Sequence, residues 1–167
     1  MAATGGRPRR LTRNSVFDGD PAYTPAGQIV FERQVRGGTH DLHVMSAGGR
    51  DMRRLTTTAG ADAAHADVSP DGTRVVFLRC CPPAGGFGGR LFTVGLDGSQ
   101  PTPLTSGRRA DGVPAWSPDG RALVFERRAG RASRTQLYVM AADGTGFRRL
   151  LASSAGHAQP SWGPVPR

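Results

Sequence analysis

Carboxylates and imidazoles recur in the segments that precede several similar stretches of this 167-residue sequence. Both kinds of side chain accept hydrogen bonds, and both bind cations. If the segments converge in the fold, these side chains contact a ligand or a partner on one face of the protein. If they do not, the same residues are solvated loop positions that cap neighbouring elements. The candidates are Asp20, Asp62, His65, Asp111 and His157.

The sequence carries no catalytic signature. It contains neither a G-x-S-x-G nucleophile motif nor an H-E-x-x-H zinc motif. The aspartates of its Ser-Pro-Asp-Gly stretches are explained by the tight turns that such stretches form. We therefore expect a protein that is not an enzyme, with no catalytic residue, no cofactor and no bound metal.

The two cysteines are adjacent, at Cys80 and Cys81, and the chain has no third cysteine. This count excludes a framework of intrachain disulfides. A vicinal pair could oxidise or bind a soft metal, but two thiolates fall short of the four ligands of a structural zinc site. We expect two free thiols in a loop.

The formal net charge is +9, which suggests an anionic partner. However, all 22 basic residues are arginine, while isoleucine and asparagine each occur once. This composition is typical of a bacterial genome of high GC content, and the basic residues do not alternate with aromatic ones as in a nucleic-acid groove. We expect a protein partner and no nucleic acid.

No stretch approaches the roughly 20 apolar residues that span a membrane, so we expect no membrane span. The first 15 residues are basic but lack the apolar region of a signal peptide. Location therefore stays open. A complete chain would be cytoplasmic, whereas a chain whose signal lies upstream would be periplasmic or secreted.

A unit of roughly 45–50 residues occurs three times, and this period is typical of propellers and repeat arrays. In the third copy, WSPDG at 116–120 is followed by an apolar run at 123–125. A second apolar run at 137–140, an Asp-Gly turn at 143–144 and Arg-Arg-Leu at 148–150 complete that copy. The other two copies begin at 23–27 and 68–72.

Each unit consists of four short segments rich in β-branched and aromatic residues, bounded by Gly and Pro. Such segments favour strands over helices, and Asp-Gly or Gly-Gly between them favours tight hairpins. The predicted fold class is all-β: a partial β-propeller of about three four-stranded antiparallel blades with flanking part-blades. The predicted divisions are 1–20 (tail strand of a preceding blade and linker), 21–56, 66–105 and 113–151 (blades 1 to 3), and 159–164 (first strand of a following blade).

Structural roles are predicted for the residues that recur at the first turn of each unit. The aromatic residues Tyr23, Trp116 and Trp162 are expected to pack between adjacent blades rather than to stack on a ligand. Aligned by these turns, Asp18, Ala63, Asp111 and His157 are equivalent positions, as are Asp20, His65, Val113 and Gln159. The remaining turn residues with a predicted structural role are Pro70, Asp71, Gly72, Pro118, Asp119 and Gly120.

The pattern W-S-P-D-G, an apolar strand, and L-Y-V-M-x-x-D-G-x-x-x-R-R-L resembles the WD-like repeats of TolB-type propellers. It is also similar to the propeller of prolyl-oligopeptidase-like serine peptidases. The resemblance covers about residues 1–164. The first copy departs from it with Thr24-Pro25-Ala26-Gly27 and one residue fewer before its second strand, and the second copy has Val68 in place of Trp. It implies the blade type and says little about function.

The chain ends fall inside the repeat. Residues 1–12 align with 45–56 at a constant offset, and 159–164 match the start of another unit. We therefore expect a fragment or half-ring of a larger propeller, whose exposed blade faces would support self-association.

The resemblance implies a non-enzymatic TolB-like scaffold that binds a protein. The alternative is the propeller portion of a prolyl-oligopeptidase-like serine peptidase without its hydrolase domain. A third possibility, drawn from polysaccharide-lyase-like propellers, is a metal in the channel bound through His65 and His157.

Overall fold

A computed structural model describes residues 7–80, 89–106, 109–128, 134–150 and 159–163. These residues form twelve antiparallel strands. Within them, no helix has the length and apolar character needed to cross a membrane. The expected all-β class is confirmed.

The strands group into three units of four, called blades 1 to 3 from here on. Blade 1 contains β1 (Asp18–Tyr23), β2 (Gln28–Gln34), β3 (His40–Ser46) and β4 (Arg53–Arg54). Blade 2 contains β5 (Asp62–Val68), β6 (Arg74–Cys80), β7 (Gly89–Gly95) and β8 (Thr102–Pro103). Blade 3 contains β9 (Ala110–Trp116), β10 (Ala122–Arg128), β11 (Gln136–Ala141) and β12 (Arg148–Arg149).

Within each blade, every strand pairs with the next in sequence, so the order is that of an up-and-down meander. The three first strands lie beside one another, β1 against β5 and β5 against β9. A single bridge between Gly89 and Asp111 joins the sheets of blades 2 and 3. The blades are therefore arranged around a common side formed by their first strands, as in a propeller that is not closed.

The period-2 alternation of the second and third strands gives each blade two apolar faces. The core between blades 1 and 2 joins Val30, Leu42 and Val44 to Val75 and Phe77. The core between blades 2 and 3 joins Val76, Leu78 and Leu91 of blade 2 to residues of blade 3: Trp116, Leu123, Phe125 and Met140. Burial of these alternating faces stabilises the stack of blades at roughly 25 cal/mol per Å² of apolar surface removed from water.

The turns between third and fourth strands repeat one interblade contact. A Cβ added to Gly144 would lie 2.9 Å from the carbonyl oxygen of Leu104 in the preceding blade, and the same construction at Gly98 gives 3.4 Å from Leu55 O. At Gly49 the distance is 2.7 Å, to the carbonyl oxygen of Leu11. Leu11 therefore contacts the Gly49 turn of blade 1 as Leu55 and Leu104, which directly follow β4 and β8, contact the turns of blades 2 and 3.

The candidate site residues were expected in loops, and this expectation was wrong for the four that the structure describes. Asp20, Asp62, His65 and Asp111 all lie within the first strands β1, β5 and β9. Each of these strands begins several residues before its turn motif. The early start is not visible in the sequence, because a bulge interrupts the alternation of apolar and polar residues by which strands are recognised.

Candidate functional site

The bulges place one residue of each first strand in an unusual backbone conformation. Asp20, His65 and Val113 have φ of 44°, 53° and 41°, and Gln159 has 52°. The pairing register shifts at these residues in all three blades. These four positions are the ones that the sequence alignment treats as equivalent. The bulge is therefore part of the repeat, and the equivalent side chains project in the same direction from each blade.

A glutamate on the second strand connects two of the bulges to the preceding blade. Glu32 accepts a hydrogen bond from the backbone N–H of His65 at 2.6 Å, and Glu126 accepts one from the N–H of Gln159 at 2.5 Å. In blade 2 the corresponding residue is Leu78, which pairs with Leu91 as Glu32 pairs with Leu42. Sequence analysis missed Glu32; its recurrence as Glu126 is the signal that could have found it.

Asp20, Glu32 and His65 come together at the junction of blades 1 and 2. One potential ligand atom from each residue lies within 4.8 Å of the others, and His65 Nδ1 is 3.3 Å from Asp20 Oδ2. Glu32 is buried, whereas the side chains of Asp20 and His65 are about half exposed. Burial, with the nearby Asp20 carboxyl as a further cause, raises the pKa of Glu32 to about 7.

Asp111 has a different environment. Its carboxylate forms a two-point ion pair with Arg127, at 2.5 Å and 2.9 Å, and both side chains are almost fully buried. The guanidinium also lies over the rings of Phe125, Tyr138 and Phe147. The carboxylate of Asp111 is therefore engaged by Arg127 inside blade 3.

The same pairing occurs in blade 1, where Asp18 binds Arg33 at 2.6 Å and 3.0 Å. The arginine holds the pKa of Asp18 at about 2. Blade 2 has Ala63 at the aspartate position, and its arginine, Arg79, lies over Phe92. The recurring spacing of 15 or 16 residues between aspartate and arginine is the sequence signal for this structural role.

Asp62 joins the first strand of blade 2 to the third strand of blade 1. Its Oδ1 accepts the backbone N–H of His40 at 2.8 Å and lies 3.0 Å from His40 Nδ1. His40 is the first residue of β3. The neighbouring Asp41, which sequence analysis missed, is buried and accepts hydrogen bonds from Thr56, Thr58 and Arg54.

The turn aspartates act within their own turns. Asp71 accepts hydrogen bonds from Ser69 Oγ, the Thr73 N–H and Thr73 Oγ1, and these bonds lower its pKa. Asp119 accepts the same bond from Ser117 Oγ. The turns also stack between blades: a Cβ on Gly72 would lie 3.4 Å from Pro25, and one on Gly120 would lie 3.6 Å from Pro70. Pro118 belongs to the same turn of blade 3.

The aromatic residues of the first strands differ in burial. Trp116 is buried between blades 2 and 3, and its backbone N–H donates to Asp67 Oδ2 at 2.7 Å. Trp162 is 40% exposed and donates its indole N–H to Ala115 O. Tyr23 is 66% exposed, because the described part of the chain places no blade against its face of blade 1.

Two of the concave surfaces lie beside the first strands. One is a cavity of about 120 Å³ between blades 2 and 3, lined by His65, Leu78, Asp111, Val113, Glu126 and Arg128 among others. The other is an apolar groove of about 250 Å³ on blade 1, lined by Leu11, Tyr23, Ile29, Phe31 and Met45 among others. His157 and Cys81 lie outside the described residues, and Cys80 is half-buried at the end of β6.

Three four-stranded blades, stacked through alternating apolar faces around their first strands, define an incomplete β-propeller. The family model described as the TolB beta propeller domain matches residues 1–166, and the chain belongs to that family. The resemblance drawn from the sequence motifs is thereby confirmed.

Individual relatives fall into two groups. An uncharacterized peptidase, YuxL of Bacillus subtilis, is 30% identical over 120 residues, which cover 68% of this chain and 18% of that protein. The Tol-Pal system protein TolB of Zymomonas mobilis is 38% identical over 77 residues, which cover 44% of this chain and 16% of that protein. This chain therefore spans less than a fifth of the length of either relative.

The solved structure of a putative TolB from Agrobacterium tumefaciens is similar to this chain with a TM-score of 0.74 and 23% identity. The match covers 89% of this chain and 54% of the other. At this level of identity the similarity establishes the fold.

Proposed function

We propose that this chain is a non-enzymatic scaffold that binds protein through the apolar end faces of its blade array. The observation that carries the proposal is the groove on blade 1. Its floor consists of Ile29, Phe31 and Met45, which are nearly buried against Leu11 and Met52. These three residues are equivalent to Val75, Phe77 and Val94, through which blade 2 packs on blade 1. A surface of this composition fits the face of another β-blade.

The opposite end of the array has the complementary surface. Val124 and Val139 of blade 3 are equivalent to Val30 and Val44, which pack against blade 2. A second copy of the chain could therefore bind blade 1 through its own blade 3. Such a contact is heterologous, because different surfaces meet, and it closes into a ring or extends into an array.

Sedimentation velocity over a range of concentrations tests this contact. The wild-type chain is expected to self-associate as its concentration rises. Tyr23→Glu puts a charge on the groove at a residue that is 66% exposed, so it should reduce association without unfolding the blade. Thr102→Glu, on the exposed strand β8 of the central blade, is the matched control and should behave as wild type. A chain that sediments as a monomer at every concentration would overturn the self-association.

A second function is favoured by the 30% identity to the B. subtilis peptidase. In this alternative, the chain is the propeller portion of a serine peptidase whose hydrolase domain is a separate segment. An antibody to the chain would recover the native protein from source cells, and a fluorophosphonate probe would label an active serine nucleophile in it. A labelled polypeptide that contains this chain would establish the peptidase, while an unlabelled one supports the scaffold.

A further inference from the structure

The cluster of Asp20, Glu32 and His65 is not used by the proposed scaffold function. Its residues come from two blades: Asp20 lies in the bulge of β1, His65 lies in the bulge of β5, and Glu32 lies between them on β2. We propose that these three side chains bind one divalent transition-metal cation at the junction of blades 1 and 2.

The geometry supports this assignment. Metal–ligand distances of about 2.0–2.2 Å place neighbouring ligand atoms roughly 3–3.5 Å apart around a metal. His65 Nδ1 and Asp20 Oδ2 are already 3.3 Å apart, and all three ligand atoms lie within 4.8 Å. The bond from the His65 N–H to Glu32 fixes the backbone of the imidazole ligand beside the carboxylate ligand.

The charge balance of the cluster also favours a cation. Glu32 is 6% exposed, and no ion pair links it to an arginine in the described part of the chain. The second carboxyl group, from Asp20, lies beside it and faces the His65 imidazole at 3.3 Å, so two carboxylates and one imidazole face a common point. A bound divalent ion would neutralise both carboxylates.

The equivalent junction after blade 3 supplies an internal comparison. Glu126 accepts a backbone N–H just as Glu32 does, but its neighbours at the bulge positions are Val113 and Gln159. That junction therefore has the hydrogen bond of the repeat without the other two ligands. Val113 and Gln159 adopt the same bulge without a carboxylate or an imidazole, so the backbone geometry does not require the side chains of Asp20 and His65.

Access and ligand type indicate the class of ion. Asp20 and His65 are 55% and 45% exposed at their side chains, and His65 also lines the 120 Å³ cavity between blades 2 and 3. Three protein ligands would leave open coordination positions for water or a small ligand. Two carboxylates suit Mn²⁺, and one imidazole suits Zn²⁺ and other first-row ions as well.

Mn²⁺ is the best probe, because it is a hard ion and the thiols of Cys80 and Cys81 compete poorly for it. Titration of the EDTA-treated chain, followed by the electron paramagnetic resonance signal of free Mn²⁺, gives the number of sites and the Kd. We expect one site per chain. Asp20→Asn, Glu32→Gln and His65→Asn should each raise the Kd by at least about tenfold, since loss of even an outer-shell partner costs about 10–100-fold.

The matched control is Glu126→Gln, which alters the equivalent glutamate and should leave the Kd within about twofold of wild type. His40→Asn controls for a nearby imidazole outside the cluster. Because Asp20 and His65 are exposed, their variants keep the test valid even if Glu32→Gln unfolds the chain. Absence of a stoichiometric Mn²⁺ site, or binding that Asp20→Asn and His65→Asn leave unchanged, would overturn the proposal.

Discussion

The ion pair between Asp111 and Arg127 offers the sharpest test of how blade 3 is held together. Asp111→Ala removes a carboxylate that is 1% exposed and leaves the guanidinium of Arg127, 4% exposed, without its anionic partner. Breaking a buried pair from one side costs about 3–5 kcal/mol, because an uncompensated charge stays buried. The guanidinium keeps its contacts with the rings of Phe125, Tyr138 and Phe147 in the variant, which favours the lower end of this range. We therefore expect a loss of about 3 kcal/mol in the free energy of unfolding.

Urea unfolding is the appropriate assay, because urea is uncharged and does not screen the ion pair. Fluorescence of the buried Trp116 reports on blade 3 and its contact with blade 2. Asp18→Ala, at the equivalent and more exposed pair of blade 1, should cost only about 1–2 kcal/mol. The double variant Asp111→Ala/Arg127→Met should recover most of the stability that Asp111→Ala loses, because no buried charge remains.

Two results would refute this reasoning. One is a loss below about 1 kcal/mol for Asp111→Ala, which is the range of surface ion pairs. The other is a double variant whose loss equals the sum of its two single variants, which would mean that the pair is not coupled. Either result would mean that Asp111 and Arg127 do not stabilise blade 3 as a coupled, buried pair.

Three further predictions concern packing, turn geometry and pH. Trp116→Ala should lower the free energy of unfolding by about 3–5 kcal/mol, whereas Tyr23→Ala should change it by at most about 0.5 kcal/mol, because the first side chain is buried and the second is exposed; equal losses in urea unfolding would contradict the assigned interface. Gly144→Ala should lower the melting temperature more than Gly146→Ala. Both glycines have positive φ, but only at Gly144 does the new Cβ approach a backbone carbonyl, Leu104 O; equal melting temperatures would refute the close approach. Burial lowers the pKa of His43, so the unfolded state binds its proton first and stability falls as pH drops below about 6.5. His43→Phe, which installs the residue found at the equivalent Phe92, should reduce that fall between pH 7 and pH 5, and an unchanged pH profile of the melting temperature would count against it.

The parts of the fold that depend on local periodicity could be predicted from the sequence. The second and third strands alternate β-branched and aromatic residues, and the Asp-Gly turns join them, so the blades follow from short-range patterns alone. The start of each first strand could not be predicted this way. There, the bulge residues Asp20, His65 and Val113 interrupt the alternation with a left-handed backbone conformation, and polar residues in such a segment indicate a loop.

The residues of the candidate site could likewise be predicted from the sequence, but most of their side-chain contacts could not. Asp20 and His65 were identified because they stand at equivalent places in the repeat, but their meeting with Glu32 depends on how two blades stack. Asp111 was identified for the same reason, yet it turns toward Arg127, because a buried ion pair depends on a partner in another strand. Repeat position therefore predicts where a residue lies along the blade, and tertiary packing decides what its side chain contacts.

The proposed association through the end faces can be measured most directly by hydrogen–deuterium exchange at low and high protein concentration. Backbone amides of β2 and β3 in blade 1, and of β10 and β11 in blade 3, are expected to gain protection as concentration rises, because these strands carry the two end faces. The amides of β6 and β7 in the central blade should exchange at the same rate at both concentrations, because both faces of that blade are already covered. Protection that is independent of concentration in blades 1 and 3, or that changes only in the central blade, would contradict association through the end faces.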